Sequence, residues 1–305
     1  MEQEEAVGGV HVPILTKEIL DNMRIVPGNV VVDATADGGG HTTAFAKAVS
    51  DKGTVISIEW DEEMVRYLKE RIAQERLGDT VKVIQGNFKN IEEMVTQEGF
   101  YAVNGVLFDF GFSSFHVDTS GRGFTFRKDE PLDMRYSYQT KLTARDVVNT
   151  YPEKELEYIF KAYGEERFAR QIAEAIIAER QHRPIMTTAE LVAAIGHGVP
   201  AGAKHRKIHF ATKAFQGLRI FVNDELENIR VALERSYKIL GSGGVLACIT
   251  FHSMEDRIVK RFGRDKEQNE LMEIVTKKPI VPSMKEKKRN RRSRSAKLRI
   301  FKKIK

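Results

Sequence analysis

The chain has 305 residues, 41% of them hydrophobic and 30% charged, as expected of a globular protein with room for one large domain or two. No apolar run approaches the roughly 20 residues that cross a bilayer. The acidic start, Met1 to Glu5, lacks the basic and apolar regions of a signal peptide, and the single cysteine, Cys248, excludes an internal disulfide and a cysteine-based zinc site. A cytoplasmic protein is predicted, with Cys248 a buried thiol.

The first strong signal is Val30 to His41. An apolar run, Val30-Val31-Val32, leads into Asp33-Ala-Thr-Ala-Asp-Gly-Gly-Gly-His41, and Thr42 to Ala46 begins a helix. Strand, glycine turn and helix in that order form a nucleotide-binding corner, because glycine lets backbone amides approach a ligand and the helix start adds partial positive charge. The spacing is not the dinucleotide fingerprint, and a run of three glycines also suits a plain tight turn.

Apolar runs predict further strands at Thr54 to Glu59, Val81 to Gln85 and Val103 to Asp109. Between them Met64, Val65, Leu68 and Ile72 give Glu62 to Arg76 a helical period. This alternation predicts a parallel sheet with right-handed crossovers, whose ligands sit beyond the carboxyl ends of the strands. Those ends carry Asp33 and the glycines, Glu59, Gly86-Asn87-Phe88 and Asp109. Glu59 lies 19 residues after Gly40, the place of an acid that accepts ribose hydroxyls, although a helix-capping acid would also fit there. A glycine corner and a ribose acid serve NAD and S-adenosylmethionine (SAM) alike. The missing pyrophosphate fingerprint favours SAM.

After Asp109 the alternation stops, and Phe110 to Met134 is predicted to be an ordered functional loop. In it Arg122, Arg127 and Arg135 alternate with Phe124 and Phe126. That mixture can hold phosphates and stack bases, or simply pack a loop. Helical patterns follow at Glu153 to Tyr163, at Glu166 to Arg180, and from the capping-box sequence at Thr187 through Ile195. With no strand pattern from about 135 to 215, a helical module inserted in the α/β domain is expected. From Leu218 to Leu240 one apolar stripe predicts a single long helix ended by Gly241 to Gly244. Val245 to Phe251 is expected as a buried strand, Met254 to Phe262 as a short helix, and Ile274-Val275 as a strand. His209 and His252 are too far apart in sequence to suggest a metal site.

Residues Lys285 to Lys305 hold twelve Lys or Arg and one acid, Glu286. The net charge of +6 is therefore +11 in this tail and −5 elsewhere. Leu298, Ile300 and Ile304 alternate with basic residues, which predicts a strand at the sheet edge with a phosphate-rich partner such as nucleic acid.

Several longer motifs resemble one family. They are Asp109-Phe-Gly-Phe-Ser-Ser114, Arg122-Gly-Phe-Thr-Phe126, Pro131-Leu-Asp-Met-Arg135, Tyr163-Gly-Glu-Glu-Arg167, Ala211 to Ile220, Phe251 to Lys260 and Arg292 to Arg299. Together, from His11-Val12-Pro13 to the tail, they resemble the bacterial small-subunit rRNA (cytosine-N4)-methyltransferase H family, also called MraW. The resemblance implies a Rossmann-like class I SAM-dependent methyltransferase with an inserted all-helical substrate domain. The methyltransferase domain would span 1–115 and 215–305, with the insertion at 116–214. It implies SAM contacts at Gly39, Gly40, His41, Glu59, Phe88, Asp109 and His116, and no metal. The implied substrate is a cytidine in the decoding region of small-subunit rRNA, free or in an assembled subunit.

Some positions depart from the family pattern. Asp37 stands where the family has Gly, Glu59 where it has Asp, and His116 where it usually has Gln; Phe110-Gly111-Phe112 replaces Leu-Gly-Val, and Asn290-Arg291-Arg292 replaces Asn-Pro-Arg. For chemistry, Asp109 is expected to orient the methionine end or the target amine, with Ser113 and Ser114 shaping the base pocket and His252 and Ser253 approaching from the next strand end. Arg122, Asp133, Arg135, Lys213 and Arg219 are the expected RNA- or loop-holding residues. Two other readings are a non-catalytic rRNA-binding or assembly factor on the same fold and, more remotely, a dehydrogenase. A homodimer is compatible with the sequence.

Overall fold

The structure, a computed structural model, describes residues 13–204 and 208–305. His11, Val12 and the acidic N-terminal stretch lie outside the described residues. Chain contacts divide the protein into two compact units. One runs up to Phe112 and resumes from Leu226 to Lys305; the other is Ser113–Glu225.

The first unit is a sheet flanked by helices. Before the insertion the chain runs through α1 (Thr16–Met23), β1 (Val30–Asp33), α2 (Gly40–Val49), β2 (Thr54–Glu59), α3 (Glu62–Gln74), β3 (Val81–Gln85), α4 (Ile91–Gln97) and β4 (Val103–Asp109). All four strands end where the apolar runs end. β1, β2, β3 and β4 pair in parallel, and the seven-stranded order is β3-β2-β1-β4-β5-β7-β6.

Successive strand residues point to opposite faces, and here both faces are covered. Val32, Ile56, Val106, Phe108, Leu246 and Cys248 pack in one core with residues of α4 and of two later helices. Val31, Val55, Leu107, Ala247 and Ile249 face the other core with residues of α1, α2 and α3. Burial on both faces explains why the strands read as unbroken apolar runs. Cys248 is fully buried, and burial pushes its thiol pKa up.

The second unit contains α5 (Ser114–Asp118), α6 (Ala144–Thr150), α7 (Glu153–Ala162), α8 (Ala169–His182), α9 (Thr188–Gly198), α10 (Ala201–Lys204) and α11 (Thr212–Val222). Helices α6 to α11 share one apolar core that includes Val147, Phe160, Ile172, Ile176, Leu191, Ile195 and Leu218. The capping box at Thr187 forms as its spacing predicts, with Thr187 and Glu190 bonding each other's backbone amides. The unit begins and ends outside the expected 116–214. At its C-terminal end α11 carries Ala214, Phe215 and Leu218 into the helical core.

Three expectations are corrected in the part that follows. The stripe from Leu218 to Leu240 is not one helix: α11 ends at Val222 and α12 (Glu225–Ile239) starts after Asn223-Asp224, with Asp224 at φ +49°. The glycines after it do not terminate that helix. They lie inside β5 (Leu240–Thr250), where pairing jumps from Val103↔Leu240 to Gly105↔Val245 and leaves Gly241 to Gly244 as a bulge. The chain then forms α13 (Ser253–Gln268), β6 (Met272–Ile274), α14 (Met284–Arg289) and β7 (Lys297–Lys303). The tail strand β7 is not at the edge. It lies antiparallel between β5 and β6, and β6 is the edge. Among the described residues no helix is long and apolar enough to cross a membrane.

Candidate active site

The turn after β1 is held by contacts from several elements. Asp33 is fully buried and accepts a 2.7 Å hydrogen bond from the Thr42 hydroxyl, which also meets Ser57 at 3.0 Å. Burial raises the Asp33 pKa, partly countered by the nearby His41 and by the Thr42 hydrogen bond. Asp37 has φ +46° and Gly39 φ +78°. The left-handed bend thus falls on a glycine and on an Asp, one of the side chains that tolerates it best. A β-carbon on Gly39 would come within 2.6 Å of Leu68 in α3, and one on Gly40 within 2.9 Å of Pro13. From α3, Arg71 donates a 2.6 Å hydrogen bond to the Gly38 carbonyl.

α2 opens at Gly40 with no side-chain cap. Pro13, Thr35, Ala36, Asp37, Gly38, Gly40, His41 and Asp109 line a small pocket there. His41 is 4% exposed, and among the described residues neither ring nitrogen has a hydrogen-bond partner. Its Nε2 stands 3.7 Å from Asp109 Oδ2, too far for a hydrogen bond. The amide of Asp109 donates at 2.6 Å to the Thr35 hydroxyl, tying the end of β4 to the turn after β1.

Glu59, at the end of β2, accepts 2.8 Å hydrogen bonds from the amides of Asp37 and Asp61. Its carboxyl pKa is pushed up to about 8, first by burial and then by the charge of Asp37, with the amide bonds opposing. Asp37 therefore acts on the neighbouring Glu59 as well as shaping the turn.

Phe88 follows β3 and lies 5.8 Å, centroid to centroid, from both Phe108 and Phe110, which stack on each other at 5.1 Å. Past β5, His252 caps α13. Its Nδ1 accepts from the Glu255 amide at 3.4 Å while the Glu255 carboxylate takes the amides of Phe251 and His252. Ser253 is the first residue of α13.

The remaining expected site residues belong to the helical unit. Ser113 caps α5 through His116. The Ser113 hydroxyl and His116 Nδ1 are 3.0 Å apart, and the His116 ring packs against Phe124 at 4.9 Å and Tyr136 at 5.0 Å. Ser114 begins that helix. Arg122 is 3% exposed, and its guanidinium donates to the carbonyls of Arg135 and Tyr136. Asp133 and Arg135 form a two-pronged pair at 2.8 and 2.7 Å. Arg219 makes a similar buried pair with Glu225, which also accepts from the Tyr136 hydroxyl. These groups pin the segment from 122 to 140. Lys213 is exposed and donates to the Glu165 carbonyl at 2.7 Å.

Of the expected residues, the structure brings Gly40, His41 and Asp109 to one pocket, with Gly39 in the same turn and Glu59 bonded to it through Asp37. Sequence reasoning missed Pro13, Thr35 and Arg71. Each acts across a sequence distance that no local pattern reveals, although the polar Thr35 inside Ala34-Thr35-Ala36 was a visible cue.

A mainly parallel sheet with an antiparallel β7 between β5 and β6, a glycine turn after β1 and acids ending β2 and β4 define a Rossmann-like, class I SAM-dependent methyltransferase fold. Residues 9–304 match the profile of the MraW methylase family, and the chain belongs to that family. It is 43% identical to Ribosomal RNA small subunit methyltransferase H of Carboxydothermus hydrogenoformans, over 96% of this chain and 98% of the relative. The protein of the same name from Dictyoglomus thermophilum is 41% identical, over 97% of each chain. The one from Persephonella marina is 42% identical, over 96% of this chain and 99% of the relative.

Proposed function

We propose that this protein is a SAM-dependent methyltransferase of small-subunit rRNA that modifies the exocyclic N4 of a cytidine in the decoding region, working in the cytoplasm on free rRNA or assembled subunits. The observation that carries the proposal is the pocket where the glycine turn, His41 and Asp109 meet. Its residues suit SAM. The buried nitrogens of His41, without a hydrogen bond among the described residues, and the uncapped start of α2 offer polar groups for an amino-acid end. Glu59 stands where a ribose diol would need a carboxyl.

When bound, SAM supplies a methyl group on a positively charged sulfur, already a strong electrophile. The chain's residues then have two tasks, positioning and charge. A cytosine amine is a weak nucleophile because its lone pair is delocalised into the ring, yet it is neutral and needs no strong base before attack. Holding such a base out of its stack and in line contributes on the order of 7–11 kcal/mol. Asp109, fixed by its Thr35 hydrogen bond, is the group to accept an amine N–H or to orient the methionine end. Gly39, Gly40, His41, Glu59 and Phe88 hold the cofactor, and His116 is assigned to it by the family resemblance. Ser113, Ser114, His252 and Ser253 are assigned to the base pocket. Asp133, Arg135 and Arg219, with Arg122, keep the recognition loop in shape.

A basic face serves the RNA backbone. Lys260, Arg261 and Arg264 are exposed at helical spacing on α13, and Lys288, Arg289, Arg291 and Arg294 are exposed in the tail. Lys297 and Arg299 are instead committed to Asp256, at 3.2 and 2.7 Å. Against burial, which raises the Asp256 pKa, these hydrogen bonds hold it below the usual range. Calorimetry with SAM tests the reading: one site per chain is expected, and no heat at millimolar SAM would overturn it.

A further inference from the structure

The helical unit contains a cavity of about 270 Å³ of which only Lys213 figures among the expected RNA- or loop-holding residues. It is lined by Glu166, Arg167 and Phe168 at the start of α8, by Val199 and Ala203, and by Ile208, His209, Phe210 and Lys213. Its walls and rim differ in character. Val199 and Ala203 are buried apolar residues, and Phe168 and Phe210 are half-buried. Arg167, His209 and Lys213 are exposed around them.

The aromatic groups are already ordered. Phe126, His209 and Phe210 form a continuous stack, with centroid separations of 4.6 and 4.3 Å and interplanar angles of 25° and 27°. The Arg167 guanidinium lies 5.7 Å from the Phe168 ring centroid. The one carboxylate in the lining, Glu166, accepts the Phe168 amide at 2.9 Å, so it is engaged at the helix start. Ile208 is 62% exposed beside this stack, an apolar surface open to a partner.

Stacked rings, an apolar wall and two exposed cations, Lys213 also donating to the Glu165 carbonyl, suit a nucleotide, with its base against the rings and its phosphate between Arg167 and Lys213. The volume falls just below the roughly 300 Å³ at which cavities for drug-sized ligands start, and so suits one base. We infer that this cavity is a second nucleotide subsite, which takes a base of the RNA other than the target. The inference rests on the rRNA-methyltransferase reading.

The test uses the full chain with SAM and small ribosomal subunits carrying 4-thiouridine. After irradiation, mass mapping is expected to find RNA cross-links on the peptides holding Phe168, His209 or Phe210. Cross-links found only elsewhere, or a ribosomal protein attached at these residues instead, would overturn the subsite. Arg167→Ala combined with Lys213→Ala is expected to raise KM for subunits roughly tenfold, with kcat and SAM affinity unchanged, and Lys213→Arg is expected to restore part of the loss. Both side chains are exposed, so an unchanged melting curve separates lost contacts from lost folding. A wild-type KM in the double variant would overturn the subsite while leaving the methyltransferase reading intact. If the wild-type chain transferred no methyl group, that reading would fail, and cross-linking, which needs no transfer, would still decide whether RNA occupies the cavity.

Discussion

The two units use similar polar side chains for different ends. In the sheet unit the polar groups at the strand ends are only partly satisfied. His41 is buried with neither nitrogen hydrogen-bonded among the described residues, and Glu59, though both its oxygens accept amides, has its pKa pushed up to about 8 by burial and the charge of Asp37. In the helical unit Asp133, Arg135 and Arg219 are held in two-pronged ion pairs, and Arg122 donates to two carbonyls of the same loop although its Nε has no hydrogen bond among the described residues. A buried group without a hydrogen bond beside a pocket marks a place that a ligand can complete, and side chains bonded several times over to one loop mark a scaffold. Residue type alone does not separate the two.

The contrast can be broken by removing one group from each side. Arg219→Ala leaves the Glu225 carboxylate buried without its cation and is expected to cost about 3–5 kcal/mol of stability. Urea unfolding would measure this, with SAM affinity under native conditions unchanged. A loss below 1 kcal/mol would mean that the pair is not a clasp. Asp109→Ala should behave in the opposite way, with a near-normal unfolding midpoint and methyl transfer reduced on the order of 10²–10³-fold, the typical cost of losing one preorganised polar group. Wild-type turnover and SAM affinity in that variant would remove Asp109 from the site.

Glu59 adds a pH signature. Its folded pKa of about 8 exceeds the ordinary 4.5, so between these values the folded state holds a proton that the unfolded chain has released. Stability is therefore expected to fall as pH rises from about 4.5 through about 8, and Glu59→Gln should flatten that slope. Melting temperatures across that range check the sign. Asp37→Gly, which removes both the strained φ and the charge beside Glu59, is expected to gain roughly 1 kcal/mol of stability and to shift the fall to lower pH. The smallest effect concerns the basic face. Replacing Lys288, Arg291 and Arg294 with Ala should lower the slope of log affinity for RNA against log salt by about 2, and an unchanged slope would exclude them from phosphate contact.

Much of this contrast was legible in the sequence on the sheet side. Strands buried on both faces are apolar runs with sharp polar ends, so Asp33, Glu59 and Asp109 could be placed at one edge before any coordinates. Asp37, the departure from the family glycine, does sit in the left-handed region. The helical side was less legible because its polar residues act over long sequence distances. Asn223 takes the Tyr136 amide and donates to the Met134 carbonyl, and it breaks what reads as one continuous helical stripe. The bulge at Gly241 to Gly244 and the interior place of β7 depend on strand pairing, which period and composition do not encode.

The most direct test of the central claim, that the strand-end pocket transfers a methyl group to an rRNA cytosine amine, is mass mapping of small-subunit rRNA after incubation with the full chain, SAM and unmethylated subunits. One new methyl group on the N4 of a decoding-region cytidine, absent with Asp109→Ala, is the expected result. A methyl group on another atom, or the same product at the same rate from Asp109→Ala, would contradict it.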